Sequence, residues 1–142
     1  MSGDTPVNGF TNAYLIEYAA SILKPIKLVD EGTAGDVSAV IVSGNQNLYT
    51  GVCIDVPCGM GFCAEHGAIA SMVTAGETKI DKVVATWGAG EVIPPCGRCR
   101  EFMTQIDPSN LKSTIVILAE DLAVSLQDLL PYAAQDYFDG KT

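Results

Sequence analysis

Two short stretches hold side chains that can do chemistry together: Cys63-Ala64-Glu65-His66 and Pro95-Cys96-Gly97-Arg98-Cys99-Arg100. Three thiolates from Cys63, Cys96 and Cys99 can hold a zinc ion and leave its fourth position open to solvent, as catalytic zinc requires. Glu65 stands two residues from Cys63, close enough to serve a water at that position but badly placed to ligate the same ion. Replacing an amine on an aromatic ring by water needs these parts. The metal lowers the pKa of its water, and a carboxylate takes the released proton and passes it to the ring and then to the departing nitrogen.

Other readings of the same residues remain open. Cys63-x-x-His66 with Cys96-x-x-Cys99 also spells a closed four-ligand structural zinc site in a protein with no enzymatic role, although its ligand pairs lie a whole strand and loop apart and Glu65 has no purpose in it. Cys96-Gly97-Arg98-Cys99 alone is a redox spacing that leaves Cys63 and Glu65 unexplained. Cys96 and Cys99, at i and i+3, share one face of a first helical turn, and Cys63 opens another helix. Three thiolates on a divalent ion carry a net charge of about −1, which opposes ionisation of the water. Helix dipoles and the donors His66 and Arg98 are positioned to draw charge off the sulfurs.

The elements that must hold these residues follow from periodicity and punctuation. Leu15, Ile16, Ala19, Ala20, Ile22 and Leu23 keep helical spacing, which predicts a helix over 12–24 capped by Thr11 or Asn12 and closed by Pro25. Residues 32–35 read as a turn, 37–43 as a buried strand, 44–47 as a hairpin reversal and 48–54 as its returning strand. The loop 55–61 delivers the chain to Cys63, 64–74 reads as a helix stopped near Gly76, and 79–86 as a strand. A second loop ends in Pro94-Pro95 before a helix over 99–106, stopped by Asp107-Pro108. A strand over 114–119, a short edge strand over 122–125 and a helical turn over 126–130 complete the reading. Alternation of strand and helix predicts one mostly parallel sheet with a hairpin edge and helices on both faces, with both cysteine stretches beyond the carboxyl ends of strands.

The chain of 142 residues suits a single domain, 1–142, with a flexible leader over 1–10. Seventeen acidic against eight basic residues give a net charge of −9, which repels a phosphate backbone and favours a free small molecule over nucleic acid. The N-terminus has no signal-peptide pattern and no apolar run is long enough for a membrane span, so a cytoplasmic protein is expected. An odd count of five cysteines argues against a disulfide framework.

From about Val37 to Pro131 the sequence resembles the cytidine deaminase family, in particular its small tetrameric members and the related blasticidin S deaminase. The motifs that carry the resemblance are Thr50-Gly51, Cys63-Ala64-Glu65, Pro95-Cys96-Gly97-Arg98-Cys99-Arg100 and Leu129-Leu130-Pro131. The resemblance implies a three-layer α/β/α fold with a mixed five-stranded sheet, and Cys63, Cys96 and Cys99 as ligands of Zn2+. It also implies Glu65 as proton shuttle, an Ala64 amide near the substrate, and a homotetramer whose sites neighbouring subunits complete. The implied reaction is hydrolytic deamination of a cytosine nucleoside, cytidine or deoxycytidine, with release of ammonia; a modified aminopyrimidine nucleoside is the alternative. The chain departs from the pattern in three places. Cys53-Ile54-Asp55 stands where the family carries Asn-x-Glu, so Asp55 can accept a sugar hydroxyl but Cys53 cannot mimic an amide. Gly35 replaces a phenylalanine, and His66 an arginine.

Overall fold

The computed structural model describes residues 9–139. Helix α1 (Asn12–Ile22) starts where the Thr11 hydroxyl accepts from the Tyr14 amide, and ends three residues before Pro25, which cannot continue it. The chain then runs through β1 (Ile26–Lys27), the long β2 (Thr33–Ser43) and β3 (Leu48–Asp55). Next come α2 (Ala64–Thr74), β4 (Ile80–Trp87), the two-residue β5 (Glu91–Val92) and α3 (Gly97–Ile106). After α4 (Asn110–Ser113), β6 (Ile115–Ala119) and β7 (Leu122–Ser125), a 3-10 turn covers Leu126–Leu129 and α5 covers Ala134–Asp139.

The main sheet has the order β3-β2-β4-β6-β7, and β1 and β5 add two-residue extensions to β2 and β4, making seven strands in all. Ala34 pairs with both Ile26 and Ile54, so β1 lies on the edge of β2 opposite β3. The five-stranded mixed sheet is therefore present, with β1 and β5 beyond it. The expectation of a mostly parallel sheet does not hold: among the described pairs only β4 with β6 is parallel. The reason is that β3 and β4, joined by α2, are parallel to each other but flank β2, which is antiparallel to both. That interposed strand puts the carboxyl ends of β3 and β4, and the loops leading to both cysteine stretches, at one end of the sheet.

Successive residues along the central strands feed two separate cores, which explains why these strands are apolar on both faces. Ile41, Val83 and Val116 pack with Ala68, Ile69 and Met72 of α2 and Met103 of α3. Their neighbours Val40, Val42, Val84 and Ile117 pack with Leu15 and Ala19 of α1 on the other face. The result is a three-layer α/β/α arrangement. Phe10 is already buried in the α1 core, while residues 1–8 of the expected leader lie outside the described residues.

The turn expected over 32–35 is instead the start of β2. Gly35 adopts φ +81° within the strand, at the register break between Ala34 and Ser38, where a Cβ would sit 2.1 Å from the Lys24 carbonyl oxygen. A glycine at a bulge carries the same local signal as a glycine in a turn. A second close approach matters for the site. A Cβ on Gly51 of β3 would lie 2.4 Å from both the Ala64 carbonyl and the Ala68 amide, so only glycine lets α2 rest directly on the strand. No helix among the described residues is long and apolar enough to cross a membrane.

Candidate active site

The loop after β3 folds back on itself before α2. Ile54 and Phe62 exchange both backbone hydrogen bonds, and Gly61 between them leaves no room for a Cβ, which would meet the Ile54 carbonyl at 2.2 Å. Cys63 is thereby set at the N-cap of α2, and Cys96, after Pro94-Pro95, is set at the N-cap of α3. Cys99 lies buried one turn into α3. The Cys63 and Cys96 sulfurs are 3.3 Å apart, those of Cys96 and Cys99 3.5 Å, and all three lie within 4.8 Å of one another.

A tetrahedral zinc with sulfurs at about 2.3 Å sets those sulfurs roughly 3.8 Å apart, close to the spacing of this cluster, so the three cysteines fit Zn2+. His66 is not among these mutually close ligand atoms. Its Nδ1 lies 3.4 Å from the Cys99 sulfur alone, and its ring stacks on Phe102 with centroids 4.4 Å apart and planes within 8°.

Glu65 is only 4% exposed, and the Cys99 thiol donates to its Oε2 at 3.3 Å. Burial holds its carboxyl above the ordinary range, outweighing hydrogen bonds from its own backbone amide and from Cys99. The same burial pushes the Cys63 and Cys99 thiols up, with the Glu65 charge adding to both. Cys96 moves down despite its burial, because hydrogen bonding with the Cys99 amide and with the Cys63 and Cys99 sulfurs favours its thiolate. A divalent ion would replace the thiol protons and reverse this cost. The His66 imidazole is held below its usual range by burial and then by the Arg98 charge.

Val37, Cys53, Ile93 and Pro94 wall a cavity of about 140 Å³ that closes on Cys63, Ala64, Glu65 and Cys96. The Cys53 sulfur accepts from the Val37 amide at 3.3 Å. Of the three residues expected to meet substrate, Cys53 and Ala64 line this cavity and the exposed Asp55 does not. Arg98 is exposed and donates to the Gly61 carbonyl at 3.5 Å, so its one hydrogen bond among the described residues goes to backbone and not to sulfur.

Arg100, with no role assigned from sequence, joins the Pro95 carbonyl at 2.8 Å to the Leu129 carbonyl at 2.9 Å. Phe102, Ile93 and Pro94 also escaped the sequence reading. Phe102 carries the one available signal, being three residues beyond Cys99 on the same helical face.

Known proteins give a consistent picture. The family model for the cytidine and deoxycytidylate deaminase zinc-binding region matches residues 13–115, which include all three clustered cysteines and Glu65. A cytidine deaminase of Mycoplasma genitalium is 36% identical over 80 residues, covering 54% of this chain and 59% of that enzyme. One from Halalkalibacterium halodurans is 27% identical over 84 residues, covering 57% of this chain and 64% of its own length. The chain thus spans less than two thirds of either relative. Among solved structures, cytidine deaminase from Mycobacterium tuberculosis superposes with a TM-score of 0.69 at 24% identity, covering 84% of this chain and 94% of that one. This last likeness is one of fold.

Proposed function

Because the chain belongs to the cytidine and deoxycytidylate deaminase zinc-binding family, we propose that it is a zinc-dependent hydrolase. Its reaction is deamination of a cytosine nucleoside, cytidine or deoxycytidine, to the uracil form with release of ammonia. The observation that carries this reading is a buried carboxylate beside three sulfurs that can share one ion, facing a cavity of about 140 Å³. His66 stands outside the sulfur cluster, which favours the open site over the closed four-ligand one.

Cys63, Cys96 and Cys99 would hold the ion, which when bound would supply a nucleophile by bringing the pKa of a water to about 7. Glu65 would accept one proton of the attacking water and deliver it to the ring nitrogen beside the reacting carbon, then take the second from the hydroxyl added to that carbon and pass it to the departing amine, which leaves as ammonia. Its raised affinity for a proton suits both halves of that task, since an acid that releases its proton too readily cannot protonate a poor leaving group. Val37, Ile93 and Pro94 exclude bulk water from the base, and the Ala64 amide orients its polar edge.

The net charge of −9 favours a free nucleoside over a nucleic acid. Exposed Met60, Trp87 and Tyr132 support assembly, and we place the protein as a cytoplasmic homotetramer whose neighbours complete each site and supply sugar contacts. Sedimentation analysis reads that assembly directly.

The test is zinc analysis with an ammonia-release assay on cytidine, deoxycytidine and blasticidin S. About one zinc per chain, with turnover of cytidine or deoxycytidine that Glu65→Gln abolishes, is expected. A zinc-loaded protein that releases ammonia from none of them, or that loses its zinc on His66→Ala while Glu65→Gln changes nothing, would sink the reading. Deamination of a single-stranded oligonucleotide with free nucleosides untouched would redirect it to nucleic acid.

A further inference from the structure

The zinc reading gives His66 a part as donor to sulfur but none to Phe102, the ring stacked on it across the two cysteine-bearing helices. His66 comes one turn after Cys63 on α2, and Phe102 comes one turn after Cys99 on α3, so each helix carries a ligand and then a ring. The rings lie face to face, 4.4 Å apart and 8° from parallel, with Phe62 bordering the imidazole at 6.4 Å. Phe102 is itself anchored, because it packs against the core cluster of Ile69, Met72, Met103 and Val116. Resting on the zinc reading above, we propose that Phe102 is a positioning residue for the metal centre. Its ring fixes the plane of the His66 imidazole so that Nδ1–H donates to the Cys99 sulfur.

The direction of that hydrogen bond follows from chemistry. A sulfur bound to zinc has lost its proton and can only accept, so at 3.4 Å the imidazole nitrogen facing it must be the donor. That bond needs Nδ1 to face the sulfur, and an unrestrained ring turns about its Cβ–Cγ bond. The flat face of Phe102 removes that freedom. Donation to Cys99 draws charge from a centre whose three thiolates outweigh the ion, while leaving the fourth ligand position to solvent.

The experiment measures zinc affinity by chelator competition, and the sulfur-to-metal charge-transfer band of the cobalt-loaded protein, in His66→Ala, Phe102→Leu, Phe102→Tyr and the H66A/F102L double variant. Loss of the donor raises the energy of the sulfur lone pairs, so Phe102→Leu should weaken zinc binding about tenfold and move the band to longer wavelength, as His66→Ala does. Phe102→Tyr, which keeps the ring face, should match the parent. The double variant should lose no more than His66→Ala alone, because the two residues act through one hydrogen bond.

A Phe102→Leu protein with zinc affinity within about twofold of the parent and an unmoved band, or a double variant whose loss is the product of the two single ones, would overturn the proposal. Should Phe102→Leu not fold, Phe102→Met retains bulk without a ring face and is read in the same way. A parent protein that binds no zinc would instead defeat the zinc reading itself, and this inference with it.

Discussion

Helix α2 has a glutamate at each end, and the two are driven in opposite directions. Glu65, in the first turn, is buried, and its carboxyl is held above the ordinary range mainly because burial strips it of water. Glu77, three residues past the last turn, is half-buried and well supplied with donors: Tyr49 at 2.5 Å and Asn47 at 3.0 Å, with Ser43 and the Asn45 amide contributing. Hydrogen bonding from Tyr49 leads in bringing Glu77 down to about 2. One carboxylate is saturated and serves to pin a hairpin to the helix end. The other is cut off from water beside three sulfurs, with its own backbone amide and the Cys99 thiol too few to offset that loss, which suits it to the proton exchange proposed above. The contrast locates reactivity by what a group lacks as much as by what it touches.

Substitutions that remove or blur this difference should have graded effects. In the mechanism proposed above Glu65→Gln removes the proton carrier, so it should cut kcat for ammonia release from cytidine by about 10²–10⁴ with zinc content unchanged, read beside metal analysis. Removing the ion with a chelator should abolish turnover reversibly. It should also lower the melting temperature, since a ligand at about 100 times its Kd stabilises by roughly 2.7 kcal/mol, and calorimetry with and without added zinc measures the difference.

Gly51→Ala attacks the seat of the reactive end. Its Cβ would collide with Ala64 and Ala68 backbone atoms 2.4 Å away, so it should cost about 1–3 kcal/mol in denaturant titration and lower activity by shifting Glu65. Glu77→Gln should do least, leaving activity intact and costing about 0.5 kcal/mol or less because the pair is solvent-screened. Its pH dependence has a definite sign. Glu77 folds with its proton affinity lowered from 4.5 to about 2, so the unfolded chain binds the extra proton between those values. The stabilisation is therefore present above about 4.5 and lost as pH falls towards 2, and Glu77→Gln should flatten that acid limb of the melting-temperature profile.

Much of the reactive end was legible from the sequence because ligand spacing and helix punctuation are local. The α2 boundaries expected from Cys63 and Gly76 are those observed, and the hairpin about Gly44-Asn45-Gln46-Asn47 formed where turn chemistry put it. What escaped depends on contacts across the fold. The strand order places β2 between β3 and β4, and no local pattern in β2 announces that its partners are parallel to each other. Gly35 reads as a turn because its positive φ is a property of one residue, while the bulge that demands it is a property of three strands. The short α4 and α5 lack the length for a periodic signal. Phe102 gains a role only once its helix is set beside that of His66.

Arg100 gives the far end of the chain a hold on the centre. Its guanidinium spans the Pro95 and Leu129 carbonyls, so the 3-10 turn before Pro131 is buttoned to the peptide bond immediately ahead of a cysteine. Trimming the tail back past Leu129 would therefore unfasten one side of the ion's cradle without touching any residue that reaches it.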